Sequence, residues 1–325
     1  MRRREFIQLI AGAAAGWPVA IQAQQLPKWR IGFLSPGSPN PHTAQRIAAF
    51  SDGLSQGLRE IAEIEMVARY ADNQLDRLPG LAQELMAQGV RAITAAAPAP
   101  VGAARKATSA IPIVAMDLES DPVADGWAMS LAHPGSNITG VFLDLPGFSA
   151  KTLQLLRDAV PDLSSVAVFW LPASGTRQLD AVRSAAAGPG LKLQVLEVAR
   201  PSEFEGAFQA AAKSNASGVL MLSSPLIAAN PQVLADLALE KRLPAISIFP
   251  DFAQKGGLVA YGPDLLELYP QAAVITRKLL QGASAADLPI ERPTRFKLIA
   301  NVKTANALGL TLPTSILISA DEVIE

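Results

Sequence analysis

Side chains suited to making and breaking bonds are scarce in this chain. It has two histidines, His42 and His133, far apart in sequence, and no cysteine. Without cysteine there is no thiolate nucleophile, thiolate metal site or disulfide. Neither histidine has an HExxH-like neighbourhood, so a histidine-based metal centre or catalytic triad lacks its parts. No Gly-x-Ser-x-Gly elbow occurs, and Gly32, Gly37 and Gly140 do not form the G-x-G-x-x-G fingerprint of a dinucleotide site. Asp121 and Asp251 fit loop or capping positions better than catalytic ones, and His133 fits a turn. These residues favour holding a solute over transforming it. The sequence predicts no catalytic residue, no metal and no cofactor.

Such groups need a scaffold to position them. With 325 residues, 50% of them hydrophobic, the chain is long enough for two domains with sizeable cores. A charged fraction of 18%, net charge −1 and no basic patch interleaved with aromatics argue against a nucleic-acid partner. The N-terminus is a targeting segment. Arg2-Arg3-Arg4-Glu5-Phe6-Ile7 is a basic start, Leu9 to Ile21 a small and apolar run, and Ala23 a small residue at the expected cut. That run is too short to remain as a membrane anchor, so residues 1–23 are expected to be an export signal peptide. The paired arginines are similar to a twin-arginine signal. A general secretory signal and a cytoplasmic first helix are the alternatives. Removing the segment takes away three arginines and one glutamate, leaving net charge −3.

The remaining chain alternates strand and helix patterns. Strands are predicted at Arg30–Leu34, Glu63–Tyr70, Val90–Ala95 and Ile111–Met116, with helices at Ala44–Leu58, Leu75–Gln88 and Ala99–Ala110 between them. After a turn-rich stretch the rhythm repeats. Helices are predicted at Lys151–Val160, Arg177–Ala187, Ser202–Lys213 and Pro231–Lys241, and strands at Val166–Trp170, Leu191–Val198, Gly218–Leu222 and Ala245–Phe249. Ser202-Glu203-Phe204-Glu205 matches a helix-capping pattern. Strands separated by helices of this length imply parallel βαβ units. The tail has a strand at Gly257–Tyr261, a helix at Leu265–Leu280, a strand at Phe296–Asn301 and a helix at Thr304–Leu308. These are too few to fold alone, so they are expected to return to the two lobes. The stretch Ala132–Phe142, with its Pro-Gly and Ser-Asn turn chemistry, is read as the crossing between lobes with a ligand cleft beside it.

Several stretches together resemble one family. They are Arg30–Pro39, Asp76–Leu85, Ala107–Val114, Asp121-Pro122-Val123, His133–Gly140, Gly256-Gly257-Leu258, Tyr261-Gly262-Pro263 and Lys303–Leu310. In their order they are similar to the substrate-binding proteins of ABC transporters, tryptophan/tyrosine type. The resemblance implies a type I periplasmic-binding fold: two Rossmann-like α/β lobes with parallel sheets, three hinge crossings, and a ligand enclosed by hinge closure. It places residues 29–143 with 262–291 in one lobe and 144–261 with 292–325 in the other. The cleft would be lined by loops at the carboxyl ends of the strands.

The same resemblance supplies the candidate ligand-binding residues. One wall is Ser35, Pro36, Ser38, Ala97, Pro98 and Asp117, and the other Trp170, Ser223, Ser224 and Phe249, with Phe142 and Tyr261 at the crossings. Pro98 and Pro225 stand where helices can begin, and free N–H groups at a helix start suit a carboxylate. Trp170, Phe249 and Phe142 would enclose an apolar or aromatic body. The chain departs from the family pattern at Ala96-Ala97-Pro98-Ala99, Leu171-Pro172-Ala173 and Ser223-Ser224-Pro225, each time losing a polar side chain. A less polar pocket follows, with Asp117 facing an amine or hydroxyl or else standing as an exposed loop acid. Trp170 either stacks on ligand or packs a core, Ser223 and Ser224 either donate to ligand or precede a helix, and Tyr261 either reaches ligand or packs the hinge.

The function these features imply is a periplasmic, monomeric receptor that captures a small organic solute and delivers it to an inner-membrane ABC permease. An amino acid or an aromatic or apolar carboxylate is the expected solute. A sensory domain without a transporter and a hydrolase on the same plan are the alternatives.

Overall fold

The computed structural model describes residues 26–325; residues 1–23, expected to be an export signal, lie outside the described residues. The first lobe begins with β1 (Lys28–Ser35), α1 (Pro41–Ser55), β2 (Glu63–Tyr70), α2 (Leu78–Ala87), β3 (Ala92–Ala96), α3 (Pro98–Ala107), β4 (Ile113–Asp117) and β5 (Ile138–Phe142). Its sheet has order β2-β1-β3-β4-β5 and every pair is parallel. Parallel strands covered on both faces must be apolar throughout, and β4 and β5 are buried along their whole length.

The second lobe follows with α4 (Leu145–Ala159), β6 (Ser165–Trp170), α5 (Arg177–Ala187), β7 (Lys192–Glu197), α6 (Phe204–Lys213), β8 (Gly218–Met221), α7 (Pro225–Ala228), α8 (Pro231–Glu240), β9 (Ala245–Ser247), α9 (Pro250–Gln254) and β10 (Val259–Pro263). Then come α10 (Leu265–Leu280), β11 (Phe296–Asn301), α11 (Val302–Leu308), α12 (Thr314–Ser319) and β12 (Glu322–Ile324). The second sheet has order β12-β11-β10-β9-β8-β6-β7. It is not wholly parallel, because β11 runs antiparallel to β10.

That antiparallel strand follows from the path of the chain. After β10, α10 leaves the second sheet and packs on α1 of the first lobe, where Arg277 donates to the carbonyls of Gln56 (2.6 Å) and Gly53 (3.4 Å). The chain then runs along β5, where the Phe142 N–H donates to Glu291 O and the Glu291 N–H to Gly140 O, before returning as β11. Three passages therefore join the lobes. Gly262 and Pro263 still pair with β11, so the second passage begins after Pro263 and these two residues belong with the second sheet, not the first.

The turn-rich stretch is not itself the crossing. His133 to Asn137 lies before β5, at the opposite end of that strand from the other lobe, and only Phe142 reaches the interface. Its polar residues staple the first lobe: Asn137 donates to the carbonyls of Thr108 and Ile111, and Thr139 to those of Leu288 and Pro289. Gly140 has φ +141, and a Cβ there would collide with the Ala115 carbonyl of β4, so the close approach of β4 and β5 demands glycine.

Other differences are local. α4 starts six residues earlier than the period predicts, because Pro146 occupies the first turn, where proline is well tolerated. The Ser202 cap is not formed. A 3-10 turn spans Pro201–Glu203, and the Glu203 carboxylate instead accepts from the Ala199 N–H (2.8 Å). Among the described residues no helix is long and apolar enough to cross a membrane.

Candidate ligand-binding site

The lobes face each other at the carboxyl ends of their strands. Ser35 ends β1, Ala96 ends β3, Asp117 ends β4 and Phe142 ends β5, while Trp170 ends β6 across the gap. The lobes are in contact here rather than apart. Asp117 has no exposed surface, and Ser223 and Ser224 are each 1% exposed. One hydrophobic cluster runs from Phe33 and Met116 through Leu118, Leu143 and Leu145 to Phe169 and Phe249 of the second lobe.

Away from the hinge passages, polar side chains link the lobes across the gap. The Ser223 hydroxyl donates to Glu119 Oε1 (2.9 Å), and Arg177 is held bidentately by Asp125 (2.7 and 3.3 Å). Gln178, in the first turn of α5, sets the position of Ser223. Its side-chain oxygen accepts from the Ser223 N–H (2.9 Å), and its amide donates to the Ser223 carbonyl (3.0 Å). Gln178 is itself buried.

On the facing loop, Asp117 Oδ1 accepts from the N–H groups of Glu119 (2.9 Å) and Ser120 (3.0 Å), while its Oδ2 is buried without a partner. Burial raises the Asp117 carboxyl to a pKa of about 6 against the stabilising bonds from Ser120 and Glu119, and the charge of Asp125 adds to the rise. Glu119 is raised to about 8, first by burial and then by the charge of Asp117. Asp117 is thus not an exposed loop acid.

Beside these acids lies a cavity of about 180 Å³. Its polar wall carries Glu119, Ser120, Asp121 and Arg177, and its apolar wall Leu131, Phe142, Leu143 and Ile290. Of the twelve candidate residues only Phe142 lines this cavity. It meets Trp127 edge-on at 6.2 Å.

The other candidates divide by role. Ser35 and Pro36 use their carbonyls to hold Ala71 and Asn73, and Ser38 is exposed and bonds Asp72. Pro98 opens α3 behind Ala97, whose φ of +76° is costly for any residue with a Cβ. Ser224 caps α7, accepting from the Ile227 N–H (3.3 Å), so its oxygen serves the helix. Trp170 donates its indole N–H to Gly175 O (2.7 Å) and packs in a cluster apart from Phe249. Tyr261 stacks on Phe148 at 5.8 Å, with Phe296 on the ring's other neighbour, and so packs the hinge. The three aromatics expected to enclose one ligand body therefore sit in three separate clusters. Asp121 makes a turn, accepting from Val123 and Ala124, as a loop residue would.

Glu119, Arg177, Gln178 and Asp125 were not among the sequence candidates. The position of Arg177 and Gln178, opening the helix after the carboxyl end of β6, was the signal that could have found them.

Two lobes of this topology, meeting across the carboxyl ends of their strands beside a cavity, define a binding protein of the type I periplasmic class. The profile of the ABC transporter substrate binding protein family matches residues 41–324, and the chain belongs to that family. It is 23% identical to a tyrosine-binding protein of Clostridioides difficile (strain R20291) over 259 residues, 78% of this chain and 73% of that protein. A domain from Streptococcus pneumoniae solved in complex with L-Trp superposes with TM-score 0.82 at 20% identity, covering 91% of this chain and 100% of that one. The ligand-free, open structure of a Clostridium difficile substrate-binding protein with adhesive properties gives TM-score 0.66 at 22% identity, covering 91% and 99%.

Proposed function

We propose that this chain is an exported receptor that closes on a small organic solute and delivers it to an ABC permease of the inner membrane. The observation that carries this reading is the pair of bonds across the gap between the lobes, Ser223 to Glu119 and Arg177 to Asp125, flanking a partly open cavity. Bonds of that kind form only when the lobes come together, which is what a solute receptor does and what a rigid enzyme cleft does not require. The moving bodies are the lobes of residues 29–143 with 264–291, and 144–263 with 292–325. The chain acts in the periplasm as a monomer, its signal peptide removed, and the solute carries an apolar or aromatic body.

Of the candidate contacts Phe142, joined by Glu119, Leu143 and Arg177 of the cavity wall, is proposed to touch the solute. A thermal-shift screen of the mature protein against amino acids, aromatic acids and purines tests the reading. A compound that binds only the folded form at about a hundred times its Kd adds roughly 2.7 kcal/mol, which raises the melting temperature by roughly 5 °C or more. Turnover of a compound, or no shift with any, would count against a receptor.

A further inference from the structure

Gln178 lines no part of the cavity and is 3% exposed, yet its amide gathers three elements of the second lobe. The Ser149 hydroxyl of α4 donates to its Oε1 (3.3 Å), as does the Ser223 N–H just past β8 (2.9 Å), and its Nε2 donates to the Ser223 carbonyl (3.0 Å). The last backbone rung between β8 and β6 runs from the Leu222 N–H to Phe169 O. One residue further on, the Gln178 side chain takes the place of a neighbouring strand. It exchanges both bonds with Ser223, as paired residues of an antiparallel ladder do. Ser149 and Ser223 are themselves buried, which shields these bonds from water.

We propose that Gln178 is a positioning residue for closure: by fixing both backbone groups of Ser223 it aims the Ser223 hydroxyl across the gap at Glu119, and thereby sets the balance between open and closed lobes. The proposal rests on the receptor reading and names how its closure is regulated. A residue bonded through both its N–H and its C=O has little freedom in φ and ψ, and its side chain is left a few staggered positions. In the one adopted here the Ser223 hydroxyl meets Glu119 Oε1 at 2.9 Å. Released from Gln178, Ser223 would have two buried backbone groups to satisfy. The strand end would turn to find partners for them and take the hydroxyl with it.

The first turn of α5 reaches the loop after β4 by two separate routes. Arg177 bonds Asp125 directly, in a part-exposed pair, while Gln178 acts on Glu119 of the same loop through buried Ser223. The Ser149 bond adds α4, which starts at Leu145 directly after the first passage, so the amide is also tied to the helix that leaves the hinge. Solute affinity scales with the fraction of receptor in the binding-competent arrangement, and a shift in the lobe balance carries straight into the apparent Kd. A side chain that touches neither the solute nor the first lobe therefore tunes capture.

Double electron–electron resonance on the mature protein, with no solute added, tests this. The chain has no cysteine, so Gln83→Cys on α2 and Gln209→Cys on α6, both exposed positions, take one spin label in each lobe. Gln178→Met, which keeps the length and loses both bonds to Ser223, should raise the open-to-closed ratio by about two- to tenfold, the worth of one hydrogen bond. Ser223→Ala leaves the backbone bonds to Gln178 in place and should open the lobes as much with a nearly unchanged melting temperature. In a Ser223→Ala or Glu119→Ala background, Gln178→Met should open the lobes no further. In an Asp125→Ala background its effect should multiply in full, as for independent sites. Gln178→Asn, one methylene too short to reach both Ser223 groups, repeats the cycle if the methionine variant does not fold. A Gln178 variant that leaves the distances unchanged, or that opens the lobes equally with and without the Ser223 hydroxyl, overturns the proposal. A wild-type distribution with no closed component does the same. Failure here leaves the thermal-shift screen untouched, and a screen with no shift leaves these distances standing.

Discussion

Ala97 holds one of the few strained backbones next to the interface. At φ +76° and ψ 164° it occupies a region that is essentially glycine's, at a cost of about 1–3 kcal/mol. Replacing it with glycine removes that strain but gives the unfolded chain more freedom, worth roughly 0.5–1 kcal/mol. Strain is the larger effect, so Ala97→Gly is expected to stabilise the protein by about 1 kcal/mol, measured by urea denaturation. Glu119 shows why residue roles were the least legible part of the sequence. In Asp-Leu-Glu-Ser it looks like any solvated loop acid. Only contact with Ser223, just past the end of β8 and 104 residues away, turns it into a partly buried carboxyl. Asp117 was legible as a candidate because β4 must end beside the gap, but its unpartnered oxygen was not. Ser224 and Tyr261 have the chemistry to touch a ligand, and of the two roles the sequence allows each, they serve the helix cap and the hinge stack.

Secondary-structure elements were read more easily because burial imposes a period. β2, α5, α10 and β11 fall where the pattern places them. α7, α9, α12 and β12 were missed, being three to six residues long and so carrying too little period to register. The antiparallel β11 was also hidden, since a strand's direction depends on where the preceding helix packs and not on its own residues. At the same scale lies the contact between α5 and the loop after β4. Arg177 and Asp125 are part-exposed, and such pairs are worth about 0–1 kcal/mol. That is small against folding but not against a hinge. Asp125→Ala should leave the melting temperature nearly unchanged while raising the open-to-closed ratio by up to about fivefold. Spin labels placed on the two lobes would report it as a longer mean distance, and an unchanged distance would remove the pair from any latching role.

For the whole molecule, two sheets joined by three passages make a hinge whose natural motion is closure. Direct contacts at Ser223 and Arg177 bring the two lobes together. The two-lobed plan was legible in the sequence because its strand–helix rhythm repeats on either side of the turn-rich stretch. The site of crossing was not, because turn residues mark a bend without saying at which end of a strand it lies. Closure on a solute is best tested by small-angle X-ray scattering of the mature protein, free and saturated with a compound that raises its melting temperature. A smaller radius of gyration and a single closed population on saturation are predicted. Identical curves with and without the bound compound would contradict closure as the basis of capture.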